Sequence, residues 1–128
     1  MNLLIVALDT AIPATAPDAE VLVVAPALNS RLRRWASDED AARARAAARA
    51  AAVVERLEQR GVHAEGRIGD GDPLLAIADA LQTFAADEIV IATEPEHSTR
   101  LAEELVTRAR DRFALPTFSA EESLPHAA

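Results

Sequence analysis

The stretch that decides the fold is Gly69-Asp-Gly-Asp-Pro-Leu-Leu-Ala-Ile-Ala-Asp-Ala-Leu-Gln-Thr-Phe-Ala-Ala-Asp-Glu-Ile-Val-Ile-Ala-Thr93. It opens on a turn, "GDGDP", in which Asp72 is suited to cap a helix and Pro73 to occupy its first position. Leu74, Ile77, Ala78 and Leu81 then recur at helical spacing and are expected to carry a buried stripe. Asp87-Glu88 leads into a strand over 89–92. A turn, an amphipathic helix and a short apolar strand, in that order, form the second half of a β-α-β unit.

The same pattern extends in both directions. "LLIVAL" at 3–8 and "EVLVVA" at 20–25 are continuous apolar runs rich in strand formers. Such runs mark strands buried on both faces, as in a parallel sheet. From Ser37, "SDEDAARARAAARAAAVVERLEQRG" predicts a long helix. Ser37 and Asp40 make a capping-box pattern, Asp38 and Glu39 suit the positive end of the dipole, and Gly61 is the stop. Ala46, Ala50, Val53 and Leu57 should face the sheet, with Arg45, Arg49, Glu55 and Arg56 outward as a solvated face. A weaker third strand is expected over Val62–Ile68. The last helix is expected from Ser98 to Phe113, with Leu101, Leu105, Ala109 and Phe113 inward. Pro116 to Phe118 begins a short fifth strand, and residues 121–128 form a flexible tail.

The implied fold is α/β: a three-layer sandwich around an open, mostly parallel, five-stranded sheet, Rossmann-like, in one domain over residues 1–120. One connection is unusual. Parallel neighbours normally require a crossover of a dozen or more residues, usually helical. Between Asp9 and Ala19 there is only "DTAIPATAPDA", and Pro13 and Pro17 deny it a helix. The first crossover helix is therefore missing or replaced by a loop. Apolar sheet left bare in this way would be covered most simply by a second subunit, so a homodimer is expected.

Composition limits function. The net charge of −8 and the 3% aromatic content argue against nucleic acid and anionic membranes as partners. There is no lysine, so Schiff-base chemistry and a P-loop lysine are excluded, and no cysteine, which removes thiol catalysis and Cys-ligated zinc. The apolar start lacks a basic leader and meets Asp9 at once, so no signal peptide is read and a cytoplasmic location is the default.

Four segments carry a resemblance to the universal stress protein family. "LLIVALDT" is similar to the family's first strand with its terminal aspartate, Asp9, and "EVLVVAPA" to its second strand. "GDGDPLLAIADALQTFAADEIVIAT" follows its glycine-acid-proline turn, helix and fourth strand. "FALPTFSA" stands where the family has a proline-led final strand. The resemblance implies an adenine-nucleotide-alpha-hydrolase-like sheet and, in binding members, ATP. Those members carry a glycine motif after strand four, whose backbone N–H groups approach the phosphates. Here that position reads "TEPEHSTR", with Glu94, Pro95 and Glu96 and no glycine.

The phosphate residues of the family therefore do not carry over, and a non-catalytic, stress-related scaffold without tight ATP binding is expected. No cofactor is assigned; an unidentified protein partner is compatible with such a scaffold. The alternative is a nucleotide (ATP or AMP) or small-ligand protein. Its cleft would use Asp9, Thr10, backbone around Val24 and Ala25, Thr93, Ser98 and Thr99, and Ser98-Thr99 also reads as a helix cap. Asp9, Glu94, Glu96 and His97 should gather at the carboxyl ends of the strands, where open α/β sheets bind ligands. They are read as solvated acids rather than a metal site. No nucleophile–base–orienter set is legible, so no catalytic residue is assigned. Trp35 precedes the long helix either as a packing residue at its start or as an interface anchor, and the Arg31-Arg33-Arg34 cluster beside it is read as a solvated loop.

Overall fold

The structure is a computed structural model of the chain, and it describes residues 1–28, 39–93 and 100–119. Five strands, β1 (Asn2–Ala7), β2 (Glu20–Pro26), β3 (Ala64–Gly69), β4 (Glu88–Ala92) and β5 (Thr117–Ser119), form one sheet in the order β3-β2-β1-β4-β5. Every pairing is parallel. Three helices connect them: α1 (Glu39–Gln59) between β2 and β3, α2 (Pro73–Leu81) between β3 and β4, and α3 (Arg100–Phe113) between β4 and β5. The Rossmann-like α/β sandwich is thus present, and the sheet is wholly parallel.

Alternation along the strands splits the core into two layers, because successive side chains point to opposite faces. Leu4, Val6, Leu22, Val24, Ile89 and Ile91 face α2 and α3. Leu3, Ile5, Ala7, Val21, Val23, Ala25, Val90 and Ala92 face the other way. On that second face α1 lies over β3 and β2 and reaches β1 only at its edge. Its Ala46, Ala50, Val53 and Leu57 are buried as expected. The helix ends as its sequence implies. Gly61, at φ 81°, donates to Glu58 O, and Val62 N donates back to Leu57 O, the paired bonds of a Schellman stop.

No helix connects β1 to β2; residues 8–19 form an irregular loop with a single turn before β2. The bare sheet face expected there is nevertheless closed within one chain. Ile5, Val90 and Ala92 are 0–1% exposed. Ile12 of the loop is half-buried against the same core layer, and Pro13 is buried. The loop is therefore a lid, and the argument from bare surface to a second subunit does not hold. Replacing Ile12 with Asp is expected to lower stability by about 1–2 kcal/mol, read as a drop in the urea midpoint. An unchanged midpoint would mean that the loop is not holding the core.

Two buried stripes differ from those the spacing suggested. In α2, Asp72 accepts from Leu74 N at 3.0 Å and Pro73 stands in the first turn, as expected. The most buried residues are Ala76, Ile77 and Ala80, while Leu74, Ala78 and Leu81 are half-buried. In α3 the buried set is Ala102, Leu105, Val106 and Ala109, and Leu101 is 50% exposed. A strict four-residue row such as 101-105-109-113 drifts around the helix by roughly 40° per step, since each residue turns about 100°. The set 102-105-106-109, with Phe113 half-buried beside it, stays on one side.

β1, β2, β4 and β5 lie within a residue or two of their expected bounds. The third strand begins later, at Ala64, because Val62 belongs to the helix stop. Ser37, Asp38, Trp35, the arginines at 31, 33 and 34, and the tail at 121–128 lie outside the described residues.

Candidate functional site

The order β3-β2-β1-β4-β5 places the topological switch point between β1 and β4, whose chains lead away to opposite sides. At their carboxyl ends, Leu8 N and Asp9 N both donate to Ala92 O, at 3.1 and 3.3 Å. This turns the chain just past β1 toward the end of β4. Asp9 and Thr93 are thereby brought together, and Thr93 Oγ1 donates to Asp9 Oδ2 at 3.4 Å. That distance is long for a hydroxyl–carboxylate bond. Thr93 is buried and Asp9 is half-buried.

The remaining expected positions divide. Thr10 is half-buried and follows Asp9 on the same turn. Val24 and Ala25 are buried, with side chains in the opposite core layers. Val24 pairs with Val6 on one side and Arg67 on the other, and Ala25 pairs with Ile68. Neither offers a side chain to the cleft. Ser98 and Thr99 lie outside the described residues, as do Glu94, Glu96 and His97. Among the described residues no group of three His, Cys, Asp or Glu is arranged to hold a metal.

Arg49 corrects the expectation of a solvated face, while Arg45, Glu55 and Arg56 are exposed as expected. The paired register of β1 and β2 ends at Val6 with Val24, and beyond it the two strands part. Arg49 bridges the gap. Its Nε donates to Ala7 O at 2.8 Å and its Nη2 to Pro26 O at 2.5 Å. Arg56, two turns further along, donates from Nη1 to Thr10 O at 2.5 Å. The cause is the missing crossover helix. Backbone carbonyls at the ends of buried strands need donors, and with no helix following β1, Arg49 supplies Ala7 O and joins Leu28 N at Pro26 O, while Arg56 serves a carbonyl of the loop itself.

Arg49 is half-buried, and burial pulls its guanidinium below the ordinary arginine range. The nearby charge of Asp9 opposes that shift and Arg45 adds to it. The group stays charged at neutral pH all the same. The sequence did hold a signal for this placement. Arg49 and Arg56 flank the Ala46-Ala50-Val53-Leu57 stripe at helical spacing, beside a crossover with too few backbone donors.

The fold and this site define an open, parallel α/β domain, Rossmann-like, with an acid, a hydroxyl and a tethered guanidinium near its switch point. No family model matches the chain, and no curated protein matches it. Among the described residues no helix is long and apolar enough to cross a membrane.

Proposed function

We propose that this chain is a non-catalytic regulatory domain of universal-stress-protein type, stress-related, that works without tightly held ATP. One observation carries the proposal. The carbonyls at the mouth of β1 and β2, Ala7 O and Pro26 O, are bonded by the chain's own Arg49. A purine amino group seeking those acceptors meets a guanidinium already in place. With "TEPEHSTR" in the phosphate position, neither end of ATP finds the groups it needs. Thermal melts with and without millimolar MgATP test this, and no nucleotide-specific shift is expected. A ligand held at a hundred times its dissociation constant would add about 2.7 kcal/mol, several degrees in a domain of this size. A rise of that order overturns the proposal.

A second reading, a cleft for a small ligand, is favoured by the convergence of Asp9 and Thr93. Such a ligand would bind weakly and reversibly, in keeping with a sensing role.

Assembly as a homodimer is a separate part of the proposal. Its first motive, a bare sheet face, is gone. The apolar surface it now rests on is Leu75 and Leu101, 41% and 50% exposed on α2 and α3. A dimer built there is expected to dissociate in Leu101→Glu by sedimentation equilibrium. A wild-type chain that sediments as a monomer at high micromolar concentration rejects the dimer outright.

A further inference from the structure

The two edges of the sheet differ. Successive residues of a strand turn their backbone N–H and C=O to opposite sides. At the β5 edge, Pro116 O accepts from Ile89 N of β4, so Thr117 O points outward, where Arg110 Nε donates to it at 2.8 Å. At the β3 edge, Gly69 O accepts from Ala27 N, just past β2. Glu65, Arg67 and Gly69 therefore turn their backbone groups to β2, and Ala64, Gly66 and Ile68 turn theirs outward. No contact among the described residues engages these outward groups. Gly66 bears out the direction. A Cβ built on it would lie 3.2 Å from Val54 Cγ2 of α1, so its side-chain side is closed, yet the residue is exposed. What water reaches there is backbone.

An open edge is a template for another strand, and proteins usually blunt it with proline, a bulge or charge. β3 spans six residues in unbroken register with β2 and has no proline. Its charges, Glu65 and Arg67, are of opposite sign. Both lie on the α2 face, where Arg67 Nη1 donates to Thr83 Oγ1 just past that helix. Neither makes an ion pair among the described residues.

We propose that β3 pairs antiparallel with β3 of a second copy of this chain, about a two-fold axis at Gly66. In that register Ala64-Glu-Gly-Arg-Ile68 is complementary to itself. Gly66 faces the partner's Gly66 and Ala64 faces the partner's Ile68. These residues have outward backbone groups, so they fall into the hydrogen-bonded pairs. Glu65 then stands opposite the partner's Arg67 in the non-hydrogen-bonded pairs, where side chains come closest, once on each side of the axis. Glycine at the axis lets the two backbones approach. Neighbouring registers, centred on Glu65 or on Arg67, set like charges against each other and are disfavoured. The inference rests on the homodimer reading and gives it an interface other than Leu75 and Leu101.

The test is sedimentation equilibrium of the whole chain as wild type, Glu65→Arg, Leu101→Glu and the exchanged pair Glu65→Arg, Arg67→Glu. Glu65→Arg should weaken the dimer about tenfold, because both cross-strand pairs turn repulsive, and the exchanged pair should recover most of the loss. Leu101→Glu should leave the dimer unchanged. Glu65 is exposed and its side chain makes no contact that holds the fold among the described residues, so the urea midpoint of Glu65→Arg should match the wild type. Amide exchange of the wild type, followed by NMR above and below the dissociation concentration, reads the register itself. Gly66 and Ile68 should be protected only in the dimer, while Glu65 and Arg67, turned to β2, stay protected throughout. A dimer equally tight in Glu65→Arg overturns the proposal, and so does fast exchange of Gly66 within the dimer. A dimer lost in Leu101→Glu, with Gly66 still exchanging fast, rejects the β3 edge but keeps the homodimer. A wild-type chain that is monomeric at high micromolar concentration rejects both.

Discussion

Gly69→Ala is expected to destabilise the protein by about 2–3 kcal/mol, on the order of a 10 °C fall in Tm. Gly69 ends β3, where α2 leaves the sheet and folds back over it. A Cβ built there lies 2.7 Å from the Cβ of Ala76 and 2.8 Å from Cγ2 of Val24. Neither neighbour can yield by rotating a flexible tip. Ala76 is 0% exposed and has no rotamer to change, and Val24 is a β-branched residue 2% exposed in the middle of the sheet. Relief therefore requires α2 to move away from β2 and β3, which loosens Ile77 and Ala80 as well. The double variant Gly69→Ala, Ala76→Gly should recover part of the loss, although glycine in the helix itself costs about 1 kcal/mol. Favourable coupling in that cycle supports a steric origin. A melting temperature unchanged in Gly69→Ala would mean that helix and strand are less closely packed than described.

The second large effect is expected at Arg49. Arg49→Met keeps the apolar stem and removes the guanidinium, leaving Ala7 O without its side-chain donor and Pro26 O with the Leu28 N–H alone, at 2.8 Å. Hydrogen bonds to a charged group contribute about 1.5–3 kcal/mol, and an abandoned buried acceptor costs about 1–3 kcal/mol. Because the cleft is half open to water, which can take over part of the lost bonding, the net loss should be about 2–3 kcal/mol. Denaturant titration reads this as a lower midpoint at unchanged slope. Arg49→Lys should fall between, since one ammonium serves two diverging carbonyls less well than a rigid fork. A Met variant within about 0.5 kcal/mol of the wild type would reduce Arg49 to a surface residue and remove the proposed block to ATP.

These two residues also show what a sequence discloses. Gly69 was legible as part of a turn before a capped helix, and Asp72, Pro73 and Gly61 perform the local roles their types imply. Such roles depend on a few neighbouring backbone groups, which the sequence states directly. What Gly69 does beyond the turn, admitting Ala76 and Val24 to within contact distance, depends on a helix and a strand brought together from different parts of the chain. The phase of α3 belongs to an intermediate case. Its true face, Ala102-Leu105-Val106-Ala109, was present in the spacing. A row of large residues drew attention away from it, because small alanines that let a helix approach the sheet carry little hydrophobic signal.

The site was half legible. Asp9 and Thr93 follow strands that a parallel sheet places side by side, and their side chains meet, while Glu94, Glu96 and His97, expected beside Asp9, lie outside the described residues. Arg49 and Arg56 were assigned to solvent because charged residues opposite an apolar stripe usually are. Their long stems, however, allow the charge to be placed on either side of the helix. Which side they take is decided by where donors are lacking, and that lack arises only once β1 and β2 lie parallel with no helix between them. By itself, then, the sequence determined the strands, the caps and the parallel order of their connections, through hydrophobic period and turn chemistry. The tertiary structure decided the loop that closes the second face and the arginines that bridge the strand ends. Both satisfy needs, buried surface and unpaired carbonyls, that come into existence only when distant segments meet.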